Sequence, residues 1–239
     1  RRAKEILGTA PEGTLVLAET QTAGRGRLGR SWHSPSCAGI WLSLILQPSL
    51  APAELPKLNL LAAVALSQTV SDVLGLRPLV KWPNDLYCQN RKISGILTEV
   101  SGELGRLEYV ILGVGINANQ KVTDFPADLQ EKAASLRMVT GRLVDRKLLL
   151  RNYLQVLEAE YFYALEHGFD RCLSYCRKYT ATLGQQVEVN NGVKVYRGKA
   201  VDIADDGALI IDQQGERSRV IAGDVQPLPN TGAKEEHDA

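Results

Sequence analysis

The chain has 239 residues, 44% apolar and 23% charged, with a net charge of +1. That length fills one large or two modest domains, and the near-zero charge excludes a global field for DNA, RNA or an anionic membrane, so any anion site must be local. The apolar runs are far shorter than a membrane span, no signal peptide is read at the start, and no internal repeat is evident.

The chain opens on RRAKEIL without a methionine, and this stretch reads as the inside of a helix whose beginning lies upstream. After the turn Pro11-Glu12-Gly13, residues 14–20 (TLVLAET) form a short β-rich run, followed by the glycine–arginine stretch GRGRLGR at 24–30. Residues 39–48 (GIWLSLILQP) are apolar at nearly every position and predict a strand covered on both faces. Leu58, Leu61, Ala62, Ala65, Leu66 and Val73 recur at helical spacing, which predicts a helix from Pro56 to Leu74 stopped by Gly75. Residues 78–100 read as a strand, a proline bend and a hairpin turning at Gln89-Asn90. Residues 107–119 (LEYVILGVGINAN) form a further strand ending in glycines, and 145–179 is helical.

After Leu183-Gly184 short β runs alternate with Asn-Gly, Asp-Asp-Gly and Gln-Gln-Gly turns, a spacing that suggests a small β-barrel. The expected division is an α/β domain over 1–182, a β module over 183–229, and a polar disordered tail over 230–239.

Three segments carry chemistry. In the first, Gly24, Gly26 and Gly29 let the backbone approach a ligand, while Arg25, Arg27 and Arg30 supply forked donors for phosphate or carboxylate. The letters G-x-G-x-x-G are present, but a strand-like run follows where a dinucleotide loop would open a helix, and no P-loop pattern occurs. The plain alternative is a basic, solvated turn. In the second, Lys81, Asn84, Asp85 and Lys92 fall in one bend and hairpin beside Pro83, and Gly95 allows a ligand against the strand. Asp85 could anchor a metal ion or orient a lysine, and Lys92 could neutralise charge on a phosphoryl group. An Asx-type turn explains Pro83 and Asn84 equally well, but not Lys92 ahead of Ser94-Gly95-Ile96-Leu97. In the third, Gly113-Val114-Gly115-Ile116-Asn117 marks either close backbone approach or an edge bulge.

His33, His167 and His237 are scattered, and Cys37, Cys88, Cys172 and Cys176 form no C-x-x-C pair. No metal cluster is assembled from these residues, and the cysteines read as small apolar side chains of a reducing cytoplasm.

Taken in order, Gln21 to Trp32, then Lys81-Trp82-Pro83-Asn84-Asp85 with Arg91 to Leu97, then Gly113 to Asn117, these segments resemble the biotin protein ligases, also called biotin–acetyl-CoA-carboxylase ligases. The resemblance covers the chain up to its tail. It implies an α/β (α+β) catalytic domain of the class II synthetase-like, biotin–lipoyl ligase type with a mixed sheet, and a C-terminal SH3-like β-barrel. It also implies two steps: biotin and ATP give biotinyl-AMP, and a lysine of a biotin carboxyl carrier domain of an acyl-CoA carboxylase then takes the biotin.

The resemblance assigns Gln21 to the biotin ureido group, and Arg25, Gly26 and Arg27 to the carboxylate and phosphate end. Gly95 and Leu97 are expected to line the biotin pocket, and Lys92 to bridge the biotin carboxylate and the α-phosphate. Lys92, Arg25 and Arg27 are the expected catalytic residues. Arg27, Arg30, Trp32, Lys81, Asn84, Asp85, Lys92 and Asn117 are the expected ATP set, with Trp32 near the adenine and Asn117 reading it. Mg2+ is expected with ATP, with no protein metal site, no nucleic acid and no membrane as partners, and a homodimer through the α/β sheet. The polar segment that usually precedes the first helix in this family has no counterpart here. A lipoate-type ligase, or a biotin-sensing regulator whose DNA-binding domain lies outside this chain, are the other readings.

Overall fold

Strand periodicity and turn chemistry dictate most of the architecture of the computed structural model, which describes residues 1–101 and 109–228. A short helix α1 (Arg2–Glu5) precedes β1 (Leu15–Ala18) and β2 (Ile40–Leu46). Helix α2 (Lys57–Leu74) ends at Gly75, whose φ of +68° is the left-handed cap that only glycine adopts cheaply. Then come β3 (Leu79–Lys81), β4 (Asp85–Cys88), β5 (Arg91–Ser101) and β6 (Tyr109–Ile116). The β4–β5 hairpin turns at Gln89 and Asn90, both at positive φ, as its two-residue loop requires. These strands form a six-stranded sheet ordered β1-β2-β6-β5-β4-β3.

Each neighbouring pair of strands in this sheet is antiparallel. Parallel pairing is confined to the isolated bridges Val80–Thr180 and Lys92–Ala133. The expected mixed sheet therefore narrows to an antiparallel one: β3 to β6 run as a meander, and α2 carries the chain from β2 to β3 at the far edge without joining parallel neighbours.

One face of the sheet is buried under α2, which is apolar on every side from Leu60 to Leu66. Leu58, Leu61, Ala62, Ala65, Leu66 and Val70 are almost wholly inaccessible, in one cluster with Leu42, Ile96, Leu112 and Val114. Helices α3 (Leu136–Thr140), α4 (Arg146–His167) and α5 (Asp170–Lys178) follow. The helical stretch expected over 145–179 is broken at Gly168, where φ is +81° and the chain turns from α4 into α5. Ser135 and Asp145 cap α3 and α4 by accepting bonds from first-turn amides.

The second module is a five-stranded antiparallel sheet ordered β10-β9-β8-β7-β11. Its strands are β7 (Gln186–Asn190), β8 (Val195–Ile203), β9 (Leu209–Gln213), β10 (Glu216–Val220) and β11 (Asp224–Pro227). Among the described residues β10 and β11 end the sheet without pairing to each other, so the observed unit is an open sheet. The tail expected to be disordered, 230–239, lies outside the described residues, as do Leu107 and Glu108 at the start of the predicted glycine-ending strand. The two modules are bonded together: Trp82 Nε1 donates to Gly207 O at 2.9 Å, and Arg177 binds Asp205, Asp202 and the Ile203 carbonyl.

Candidate functional site

The other face of the six-stranded sheet carries the site. In β6 side chains alternate, so Gly113 and Gly115 fall on one face, and Gly115 pairs across to Gly95 of β5 and to Trp41 of β2. The result is a floor without side chains. The Trp32 indole lies on it: a Cβ at Gly115 would come within 2.4 Å of Trp32 Nε1, and one at Gly95 within 2.9 Å of Trp32 Cζ3. Trp41, fully buried, meets Trp32 edge-on at 6.3 Å.

A register irregularity opposite Leu86 and Tyr87 leaves Ile93 without a partner in β4, so Ser94 pairs with Leu86 and Lys92 with Tyr87. Such a bulge re-aims a side chain. It turns the Lys92 ammonium onto the glycine floor, 3.2 Å from where a Gly95 Cβ would stand and 5.3 Å from the centre of a Trp32 ring. Lys92 Nζ lies 2.7 Å from Asp85 Oδ1. That contact is a charge pairing without hydrogen-bond alignment, since Asp85 Oδ1 has no hydrogen-bond partner. The Lys92 backbone is held from the far side by Lys132 O and Ala134 N, each at 2.9 Å.

The glycine–arginine loop folds over this floor as a narrow β-like loop. Trp32 N donates to Gly24 O at 2.9 Å, Gly26 N to Arg30 O at 2.7 Å, and Arg25 bridges Ser31. At its tip Leu28 takes a φ of +55° and remains exposed. The three arginines have different fates. Arg25 points to solvent. Arg27 reaches inward to Asn84 Oδ1 at 3.0 Å, and Asn84 in turn donates to Ile96 O at 2.6 Å. Burial pulls the Arg27 pKa below its usual value, although the guanidinium stays charged. Arg30 leaves the domain and forms a two-pronged pair with Asp224 of β11, at 3.0 and 2.7 Å. The hydrogen bond from Arg30 holds the Asp224 carboxyl below the ordinary carboxylate range.

Lys81 donates to Tyr87 Oη at 3.2 Å, and burial lowers its pKa. Gln21 sits at the loop base, its Oε1 accepting from Ser34 Oγ at 2.7 Å. Leu97 flanks Gly113 across the β5–β6 pair. Asn117 is buried at the end of β6, its backbone N–H on Ile93 O. The structure thus brings Gln21, Gly26, Arg27, Trp32, Lys81, Asn84, Asp85, Lys92, Gly95, Leu97 and Asn117 around one floor, and turns Arg25 and Arg30 away from it.

Other members of this neighbourhood were not singled out from the sequence. Trp41 was hidden in a strand that reads as core throughout, although it lies on the face that carries the glycines. Asp224 lies 194 residues from Arg30, and no local pattern announces it. Gln120 carries no signal in the sequence beyond following Asn119. Among the described residues, the buried side-chain nitrogens and oxygens without a hydrogen-bond partner are Trp32 Nε1, Trp41 Nε1, Asp85 Oδ1 and Gln120 Oε1. Each belongs to a site residue or to a residue that touches one. Buried polar atoms are almost always paired, so this concentration marks where a ligand would bond.

Known proteins match this arrangement. Residues 3–117 match the Biotin/lipoate A/B protein ligase family, and residues 182–226 match the Biotin protein ligase C terminal domain. The chain is 39% identical over 217 residues to the bifunctional ligase/repressor BirA of Bacillus spizizenii, covering 91% of this chain and 67% of that protein. It is 33% identical over 231 residues to the biotin--[acetyl-CoA-carboxylase] ligase of Mycobacterium tuberculosis, covering 95% and 83%. The structure of the Aquifex aeolicus biotin protein ligase in complex with biotin and ATP superposes with a TM-score of 0.82 at 29% identity, covering 93% of this chain and 92% of that one. The loop, the lysine hairpin and the glycine-ending strand all lie within 3–117, and with this likeness over nearly the whole length the chain belongs to the biotin protein ligase family.

Proposed function

We propose that the chain activates biotin with ATP to biotinyl-AMP and passes the biotin to a lysine of a biotin carboxyl carrier domain of an acyl-CoA carboxylase. The observation that carries this reading is the side-chain-free floor of Gly95, Gly113 and Gly115 with the Lys92 ammonium at its edge. A carboxylate is already a nucleophile, and the obstacle to its attack on a phosphate is repulsion between two anions. The biotin carboxylate oxygen bonds to the α-phosphorus, and the bond to pyrophosphate breaks. Lys92 offsets the charge that gathers there, and Asp85 holds its ammonium in place. In the second step the carrier amine attacks the acyl carbon, gives up a proton, and AMP leaves.

Gln21 reads the ureido group, Leu97 walls the ring pocket, and Arg27 with Gly26 restrains the adenylate. Trp32 moves from the floor to pack near the adenine, which Asn117 reads. Arg25 and Arg30 join the anion when the loop closes, Arg30 by exchanging Asp224 for phosphate. This explains a loop rich in both glycine and arginine: it orders over a reactive anhydride and reopens to admit a lysine. Magnesium enters with ATP as part of the substrate. Among the described residues no group of three or more carboxylate, histidine or cysteine side chains could hold a metal alone. One carboxylate, Asp85, stands at this site, and an ion bound mainly by phosphates and water needs no more than one such ligand from the protein.

The β module is assigned as an SH3-like barrel, and association as a homodimer uses the main sheet. No helix among the described residues is long and apolar enough to cross a membrane, and the four cysteines are free, which suits a reducing cytoplasm. The test is to mix the chain with biotin, Mg-ATP and a carrier domain and to weigh the carrier. A biotinyl mass gain is expected, falling ~100- to 1,000-fold in rate with Lys92→Ala. A carrier that gains lipoyl mass from lipoate instead, or a Lys92→Ala variant as fast as wild type, would overturn the reading.

A further inference from the structure

The turn after β6 sets two amides in series on the backbone of Lys92. Asn117 donates from Nδ2 to Lys92 O at 3.4 Å, and Gln120 donates from Nε2 to Asn117 Oδ1 at 3.2 Å. Both residues are buried, Gln120 completely. The backbone carbonyl of Gln120 accepts the Ser135 hydroxyl at 2.6 Å, and Ser135 Oγ also caps α3, so the turn is anchored to a helix.

An amide side chain can be turned end for end with almost no change of shape, so its direction is set by its partners. The invariant end of this series is the Lys92 carbonyl, which can only accept. It takes Nδ2 of Asn117, which leaves Oδ1 on the other side, and Oδ1 takes Nε2 of Gln120. Reversing Gln120 would set oxygen against oxygen. The direction is kept although it leaves Gln120 Oε1 buried without a partner.

We propose that Gln120 is the positioning residue for base selection: it locks the Asn117 amide so that the site favours a purine with an exocyclic amine over one with a carbonyl there. This rests on the assignment of Asn117 to the adenine. After its two internal bonds Asn117 keeps one lone pair and one N–H. Adenine presents an amine donor beside a ring-nitrogen acceptor, which matches that set. On the edge that carries N7, hypoxanthine presents two acceptors, so a locked amide meets its carbonyl with Oδ1. The Lys92 carbonyl already accepts the Ala134 amide at 2.9 Å, so its longer 3.4 Å contact alone does not hold the Asn117 side chain; without Gln120 the amide could turn, offer its N–H and tolerate the wrong base. The same series bonds to the Lys92 carbonyl, so base reading and lysine placement share one support.

The test measures biotinyl-nucleotide formation, by pyrophosphate release, with ATP and with ITP. The readout is the ratio of the two kcat/KM values. Gln120→Met keeps the volume and removes the donor. It is expected to lower the ATP preference at least tenfold, chiefly through a higher KM for ATP, while biotin affinity without nucleotide is unchanged. A preference equal to that of wild type, at whatever absolute rate, overturns the proposal. Should Gln120→Met fail to fold, Gln120→Asn, which withdraws the amide by one carbon, takes its place: a lowered ratio supports the proposal and an unchanged one overturns it. A wild-type protein that uses ITP as readily as ATP would instead sink the assignment of Asn117 to adenine.

Discussion

The two faces of the six-stranded sheet share the same strands and obey opposite rules. Under α2, Leu42, Ile96, Leu112 and Val114 meet Leu58, Leu61 and Leu66, and each is almost wholly inaccessible. On the reverse, the corresponding positions of β5 and β6 are Gly95, Gly113 and Gly115, and buried polar atoms there lack partners. One face is filled for stability. The other gives the space of its missing side chains to the Trp32 indole and keeps unspent hydrogen-bonding capacity, as functional sites do at some expense in stability. A substitution on the first face should therefore damage folding and spare chemistry, and one on the second should do the reverse.

The largest expected effect is on the filled face. Leu66→Ala, at a position with no accessible surface, should cost about 2–5 kcal/mol through lost burial and a residual cavity. Denaturant titration measures it, and the KM for biotin of the folded fraction should stay near wild type. A variant with normal stability and a raised KM would reverse the contrast between the faces.

Gly115→Ala comes next. The added methyl would collide with the Trp32 indole and stand on the floor assigned to biotin. Calorimetric titration should show at least tenfold weaker biotin binding, about 1.4 kcal/mol, with the melting temperature nearly unchanged. Unaltered biotin affinity would mean that the ligand does not use this floor.

Arg27→Gly removes the one loop arginine that reaches into the site, where it bonds Asn84. Biotinyl-AMP should still form, but it should escape before the carrier arrives. Labelling of a bystander protein should rise severalfold, and a variant that labels bystanders no more than wild type would refute the restraining role.

The smallest effect concerns the Arg30–Asp224 pair, which ties the loop to the β module. Arg30 is more than half exposed, so the pair is worth about 0–1 kcal/mol. The Asp224 pKa is depressed in the fold. A depressed carboxyl contributes stability that is complete above its unfolded value and is lost as the pH falls through its folded value. Melting temperatures recorded downward from about pH 4 should fall less steeply for Asp224→Asn than for wild type. Parallel curves would show that the pair does not tie the loop down.

The site was legible where chemistry is written in short stretches. The loop Gly24–Arg30, the hairpin from Lys81 to Leu97 and the strand ending in Asn117 each bring their ligand groups within a few bonds of one another, and hairpin turns carry them to a shared face. The open form of the second sheet was not legible, because turn spacing counts strands but does not say which edges meet. The break at Gly168 was also obscured, since apolar spacing continues on both sides of it.

By itself the sequence determined most of the strands, the long helix α2 and the residue types able to meet an anion, because periodicity, glycine caps and turn dipeptides act over a few residues. Only the tertiary structure decided which arginine does what. Arg25, Arg27 and Arg30 are equivalent letters in one loop, yet solvent takes the first, Asn84 the second and Asp224 the third. Likewise the direction of the Asn117 amide depends on Lys92 and Gln120, which the chain brings together from different elements. Charge and hydrogen-bond direction belong to pairs of groups, and most of those pairs exist only once the chain has folded.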